Sequence, residues 1–163
     1  MPVVISDTGP IYYLVLIDCA EILPALFGRV ILPSVVMAEL THAETPAKVR
    51  AWMAQAPRWL EVRGISSGPL REEPPIEKLD AGELAVIELA MSTDANLLLI
   101  DDRKGVRFAR RKGFAVTGTL GVLARAAERH GLDLREALAR LSRTNFYCSR
   151  EIIEELLARS SKK

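Results

Sequence analysis

Two aspartates stand side by side in the stretch NLLLIDDRKG, directly after the apolar run Leu97 to Ile100. One of them, Asp102, has an ordinary duty available, since it can cap a helix that begins at Arg103. Its neighbour Asp101 has none, and a doubled negative charge asks for something positive beside it. A third acid, Asp7, follows the apolar run VVIS in the same way, Glu39 lies in LPSVVMAEL, and Asp80 and Glu83 open LDAGELAVIELA. Each has a structural explanation when read alone. Asp7 can cap a helix near Pro10, Glu39 can be a solvated helix residue, and Asp80 with Glu83 has the D-x-x-E spacing of a capping box. Brought into one crevice, these carboxylates repel one another, and at least one takes up a proton unless a cation sits among them. Carboxylates with no histidine or thiolate beside them are hard oxygen ligands, suited to Mg2+ or Mn2+ and poorly suited to Zn2+ or Cu2+. Such a site fits phosphodiester hydrolysis, where metal ions stabilise both the attacking and the leaving oxygen.

A polyanionic substrate needs positive charge nearby. The segment after Asp102 carries Arg103, Lys104, Arg107, Arg110, Arg111 and Lys112. Arg103, Arg107 and Arg110 share one face of a helix, either as a solvated surface or as a track for a nucleic-acid backbone. Tyr12 and Tyr13, one turn past Asp7, are either core residues or a platform for bases. His42 and His130 lack ligand-like spacing and read as surface or loop residues.

The elements that must position these acids follow from patterning. Short apolar runs, VVIS, RVILP, WLEVRGI, NLLLID and FAVTG, alternate with helical stretches. The helices are expected from Thr8–Gly9–Pro10 onward, in PSVVMAELTHA, in TPAKVRAWMAQA, in DAGELAVIELAMSTD and in RKGVRFARRKG with a stop at Gly113. Three more follow from about Thr119 to the end. SSGPLREEPP reads as a loop too short to link domains, so residues 1–163 are expected to form one domain. Continuously apolar strands separated by helices belong to a parallel sheet covered on both faces, which predicts a three-layer α/β/α sandwich. In such sheets ligands bind beyond the carboxyl ends of the strands. Asp7 and the Asp101–Asp102 pair both fall there.

Bulk properties limit the alternatives. The chain has 163 residues, 49% of them hydrophobic, and a formal net charge of +1, an ordinary globular balance that argues against coating nucleic acid by charge alone. Cys19 and Cys148 form no CxxC or Cys/His cluster and read as free thiols in a reducing compartment. The apolar N-terminus is interrupted by Asp7, Pro10 and Asp18 and has no basic segment ahead of it, and no stretch approaches the roughly 20 apolar residues that span a bilayer. A cytoplasmic protein with no membrane contact is expected.

VISDTGP, LPSVVMAEL, LDAGELAVIELA and LLIDDRKGVRFAR, in that order, resemble the PIN domain. They are most similar to its prokaryotic branch of small predicted nucleic-acid-binding proteins related to VapC-type toxins, and the late NFYCSREIIEELL is similar to that branch's closing segment. The resemblance implies a Mg2+- or Mn2+-dependent endoribonuclease, often a toxin held inactive by an antitoxin and often a homodimer. It places the family acids on Asp7, Glu39, Glu83 and Asp102 as catalytic residues, with Asp7, Glu83, Asp101 and Asp102 at the metal and the register of the last pair open by one. The small hydroxyl residue beside the first aspartate falls on Thr8 or Ser6. Thr8, Arg103, Lys104, Arg107 and Arg110 are the expected nucleic-acid contacts, with RNA the expected substrate and DNA not excluded. One departure is visible: toxins of this kind often carry Thr or Ser two residues before the last acid, and this chain has Leu99 and Ile100 in that region. Two other readings stand beside this one. A receiver-type phospho-acceptor also uses acids at strand ends, but its doubled acid follows the first strand and it needs a lysine after the last, which FAVTGTLG does not supply. A PIN-like binding module would use the acids as caps alone and offer IYYLVLI as an association surface.

Overall fold

The computed structural model describes residues 2–65, 68–72, 75 and 78–161. Its centre is a five-stranded sheet in the order β3-β2-β1-β4-β5. The strands are β1 (Val4–Ser6), β2 (Val30–Pro33), β3 (Leu60–Arg63), β4 (Leu97–Leu99) and β5 (Val116–Thr117). Every pairing is parallel. β1, β2 and β4 are buried along their whole length, as strands covered on both faces must be. The edge strands differ: β3 is buried only at Leu60 and exposes Val62, and β5 is only half-buried. Helices α1 (Thr8–Leu16), α2 (Ile22–Phe27), α3 (Ser34–Leu40), α4 (Ala47–Ala54), α6 (Ala81–Thr93), α7 (Arg103–Arg111) and α8 (Thr119–His130) complete an α/β/α sandwich, with α9 (Leu134–Ser142) and α10 (Arg150–Ser161) closing the chain. The layered parallel fold and the three final helices agree with the expectation from sequence.

Two elements depart from it. EILPALFG forms α2, a short helix that Pro24 enters in its first turn, where the missing N–H removes no helical bond. Within the stretch read as loop, Pro69–Glu72 forms α5, while residues 66, 67, 73 and 74 of that stretch lie outside the described residues. Among the described residues no helix is long and apolar enough to cross a membrane.

Register decides what meets at the sheet edge. Ser6 pairs with Leu99, so β1 and β4 end level with each other. The backbone continues that pairing one step further, with Asp7 N donating to Leu99 O at 2.9 Å. On the other side Ile100 N donates to Thr117 O at 2.9 Å, which brings the exit of β5 beside Asp101. Helix α6 packs against β1 and β2 and against α3, so its N-terminus arrives over the same edge.

Candidate active site at the carboxyl edge of the sheet

Asp7 occupies the N-cap position of α1 but makes no side-chain capping hydrogen bond. It is 8% exposed. Burial raises its pKa to about 7; the Thr8 backbone N–H opposes this, and the charges of Asp80, Glu39 and Asp101 push it further up. Glu39 comes from α3 and accepts a hydrogen bond from the Thr8 hydroxyl. Gly82, in the first turn of α6, makes the close approach feasible: a side-chain carbon there would lie 2.8 Å from Glu39 Oε1 and 3.0 Å from Asp7 Oδ1. Three elements, α1, α3 and α6, therefore meet at two carboxylates through a residue that has no side chain.

Glu83 shows that the structural and chemical explanations of a residue can both hold. It completes the capping box of α6: Asp80 Oδ1 accepts from Glu83 N at 2.8 Å, and Glu83 Oε1 accepts from Asp80 N at 3.3 Å. Its second oxygen, Oε2, is buried with no hydrogen-bond partner. Burial lifts the Glu83 pKa to about 8, with Asp80 adding to the rise and the charge of Asp102 adding further. A side-chain carbon at Gly105 would lie 2.5 Å from that unpartnered oxygen, so the bare backbone of α7 leaves it room.

The adjacent aspartates divide their duties. Asp102 is exposed and caps α7, its Oδ2 accepting from Lys104 N at 3.0 Å and Gly105 N at 3.3 Å. Asp101 turns the other way, toward α8, where Thr119 N donates to Oδ1 at 2.7 Å and the Thr119 hydroxyl to Oδ2 at 2.7 Å. Burial raises the Asp101 pKa even against those two hydrogen bonds, which favour its ionised form. Of the pair, Asp101 is the one whose charge bears on Asp7, and Asp102 the one whose charge bears on Glu83.

Sequence reading found the acids and missed the groups that hold them. Thr119 is fully buried and was not singled out, although a hydroxyl residue just past the last strand, TGTLG, is the available signal. Gly82 and Gly105 were missed as well; each lies two or three residues past a helix-capping acid, close to the turn where a backbone would have to approach its neighbours. Thr8 engages Glu39, and Ser6 is buried with its hydroxyl donating to its neighbour's carbonyl, Asp7 O, at 2.9 Å.

The basic residues Arg103, Lys104, Arg107 and Arg110 are all exposed on α7, directly downstream of the acids. Arg111 and Lys112 lie over the Phe108 ring at 5.8 and 5.5 Å. Tyr12 and Tyr13 pack against the core, with Tyr13 edge-on to both Tyr12 and Phe146 and its hydroxyl donating to Asn145 Oδ1 at 3.0 Å. His42 and His130 are exposed, and Cys19 and Cys148 are free thiols.

Among the described residues no three His, Cys, Asp or Glu side chains stand close enough to hold a metal ion as they are. The donors nonetheless fit a hard divalent cation. They are all oxygens, one is buried with no hydrogen-bond partner at Glu83, and one makes no capping hydrogen bond at Asp7.

A family model described as PIN domain matches residues 3–162. Among solved structures, the chain is similar to a PilT N-terminus domain protein from the hyperthermophilic archaeon Sulfolobus solfataricus P2, with 20% identity and a TM-score of 0.55 over 80% of this chain and 97% of that one. A domain of a functionally unknown protein from Methanocaldococcus jannaschii DSM 2661 matches at 20% identity and a TM-score of 0.45 over 72% and 91% of the two chains. No curated protein matches the sequence. With the match running through nearly the whole chain and the parallel sheet arranged as described, this protein belongs to the PIN domain family.

Proposed function

We propose that the protein is a Mg2+- or Mn2+-dependent endoribonuclease whose site is formed by Asp7, Glu39, Glu83 and Asp101, with Asp102 beside Glu83. PIN domains are typically nucleases and generally depend on a divalent metal. The observation that carries the reading is the state of Asp7. A buried carboxylate at a helix N-cap ordinarily takes the hydrogen bonds offered there; this one makes no capping bond and has its pKa raised to about 7 by burial and by Asp80, Glu39 and Asp101.

Asp7, Glu83 and Asp101 are the groups that would hold the ion. A bound Mg2+ or Mn2+ supplies Lewis-acid stabilisation of the charge that builds on the phosphoryl oxygens and lowers the pKa of water at neutral pH. The protein's own groups do the rest. Glu39, fixed by the Thr8 hydroxyl beside Asp7, presents its carboxylate as a proton acceptor at the edge of the cluster. Arg103, Lys104, Arg107 and Arg110 give the phosphate backbone an exposed cationic stripe, a contribution that weakens with salt.

The helix caps at Asp80 and Asp102 favour a second reading, a binding module in which the acids are structural. Titration with Mn2+ and an assay on single-stranded RNA and DNA separate the two. The nuclease reading expects saturable Mn2+ binding and RNA cleavage that Asp7→Asn lowers by more than the roughly 100-fold that loss of an outer-shell group reaches. Absence of Mn2+ binding, or full cleavage in Asp7→Asn, would leave the binding module.

A further inference from the structure

We propose that Thr119 is a positioning residue that fixes the Asp101 carboxylate for the site, an inference that rests on the metal-dependent reading above. The geometry is specific. Asp101 accepts one hydrogen bond on each oxygen, both from the same residue and both at 2.7 Å, one from the Thr119 backbone N–H and one from its hydroxyl. A carboxylate gripped in this two-point way cannot rotate about its terminal torsion without breaking one contact, whereas a single hydrogen bond leaves that torsion broad. The grip is itself rigid. Thr119 has no exposed surface, is the first residue of α8, and its branched β-carbon restricts its side-chain torsion. Its place beside Asp101 is set by the sheet, through the Ile100 N to Thr117 O bond two residues earlier.

Packing closes the remaining sides. A side-chain carbon at Gly118 would lie 2.5 Å from Asp101 Oδ1, and one at Gly9 would lie 2.7 Å from Oδ2, so backbone from the starts of α8 and α1 flanks the two oxygens. The result is a carboxylate held at one azimuth between two helix starts, next to Asp7. Each oxygen has one lone pair engaged by Thr119 and one left over. A hydroxyl that orients a metal-facing carboxylate acts in the outer shell, where removal commonly lowers metal affinity or activity by about 10- to 100-fold.

The test compares Thr119→Ser with Thr119→Ala. Both lose the methyl group and keep the backbone N–H; they differ in the hydroxyl alone. Thermal unfolding of each reports any loss of packing, which the two share. Mn2+ binding to the protein without RNA, read by electron paramagnetic resonance or calorimetry, reports the position of Asp101. Thr119→Ser is expected to bind Mn2+ close to wild type, and Thr119→Ala about ten-fold more weakly, with the Mn2+ concentration for half-maximal RNA cleavage rising in parallel while KM for RNA is unchanged. Equal Mn2+ affinity in the two variants overturns the role of Thr119. Wild-type protein that binds no Mn2+ overturns the metal reading itself, so the two failures are distinct.

Discussion

Asp7 and Asp102 hold the same place in the fold: each is the N-cap of a helix that begins just past a central strand. Asp102 is exposed and makes both hydrogen bonds that its position offers. Asp7 is buried, makes no capping bond and is surrounded by other acids. The difference teaches that topology supplies equivalent positions and burial decides their use. A cap in water lowers the free energy of its helix; a carboxylate withheld from capping and desolvated raises it, a condition that becomes favourable once a cation arrives.

Several experiments press on that contrast. The largest effect expected is on cleavage. Asp7→Asn should lose more than roughly 100-fold, whereas Asp102→Asn, which keeps an oxygen for Lys104 and Gly105, should lose less than about ten-fold. Equal losses would erase the distinction.

Next comes pH. Asp7 and Glu83 have folded-state pKa values of about 7 and about 8, above their ordinary 3.8 and 4.5. The folded protein therefore binds more protons than the unfolded chain in between. That contribution is fully present below about pH 4 and is lost as pH rises through 7 and 8. Metal-free protein should accordingly be less stable at pH 9 than at pH 5 by on the order of a few kcal/mol, measured by denaturant unfolding. Mn2+ should recover much of the loss by binding the ionised acids of the folded state. Asp7→Asn should flatten the profile, and Asp102→Asn, whose charge is a minor cause of the Glu83 shift, should change it far less.

Smaller still is Gly82→Ala. Its methyl would crowd Glu39 and Asp7. The variant should fold and bind Mn2+ about ten-fold more weakly, because the two carboxylates must separate to admit a methyl. Asp102→Ala is expected to have the smallest effect, a stability loss of about 1 kcal/mol from the missing cap, visible as a shift of a few degrees in Tm.

Much of this arrangement was legible in the sequence, and the reasons are local. Buried parallel strands are apolar throughout, so VVIS, RVILP and NLLLID announce themselves, and the acids that follow them are conspicuous by contrast. The D-x-x-E spacing of Asp80 and Glu83 gave the capping box directly. The orphan Oε2 of Glu83 was beyond reach, since it depends on what packs over the first turn of α6 from α7. The opposite directions of Asp101 and Asp102 were also hidden, because adjacent residues leaving a strand point apart and only the neighbouring chain decides which finds a partner. Thr119 stands 18 residues from Asp101 and meets it only through the pairing of β4 with β5. Helix α2 was obscured by Pro24, which breaks a helix at its middle and suits one at its start.

The strand order has one further consequence. β1 lies between β2 and β4, so one of its two flanks is covered only by residues 97–99, far along the chain. Without that pairing, Asp7 keeps Glu39 near it but lacks Asp101. A fragment cut short before β4 would carry only part of the acidic pocket. The full cluster thus depends on one pairing between segments far apart in the chain.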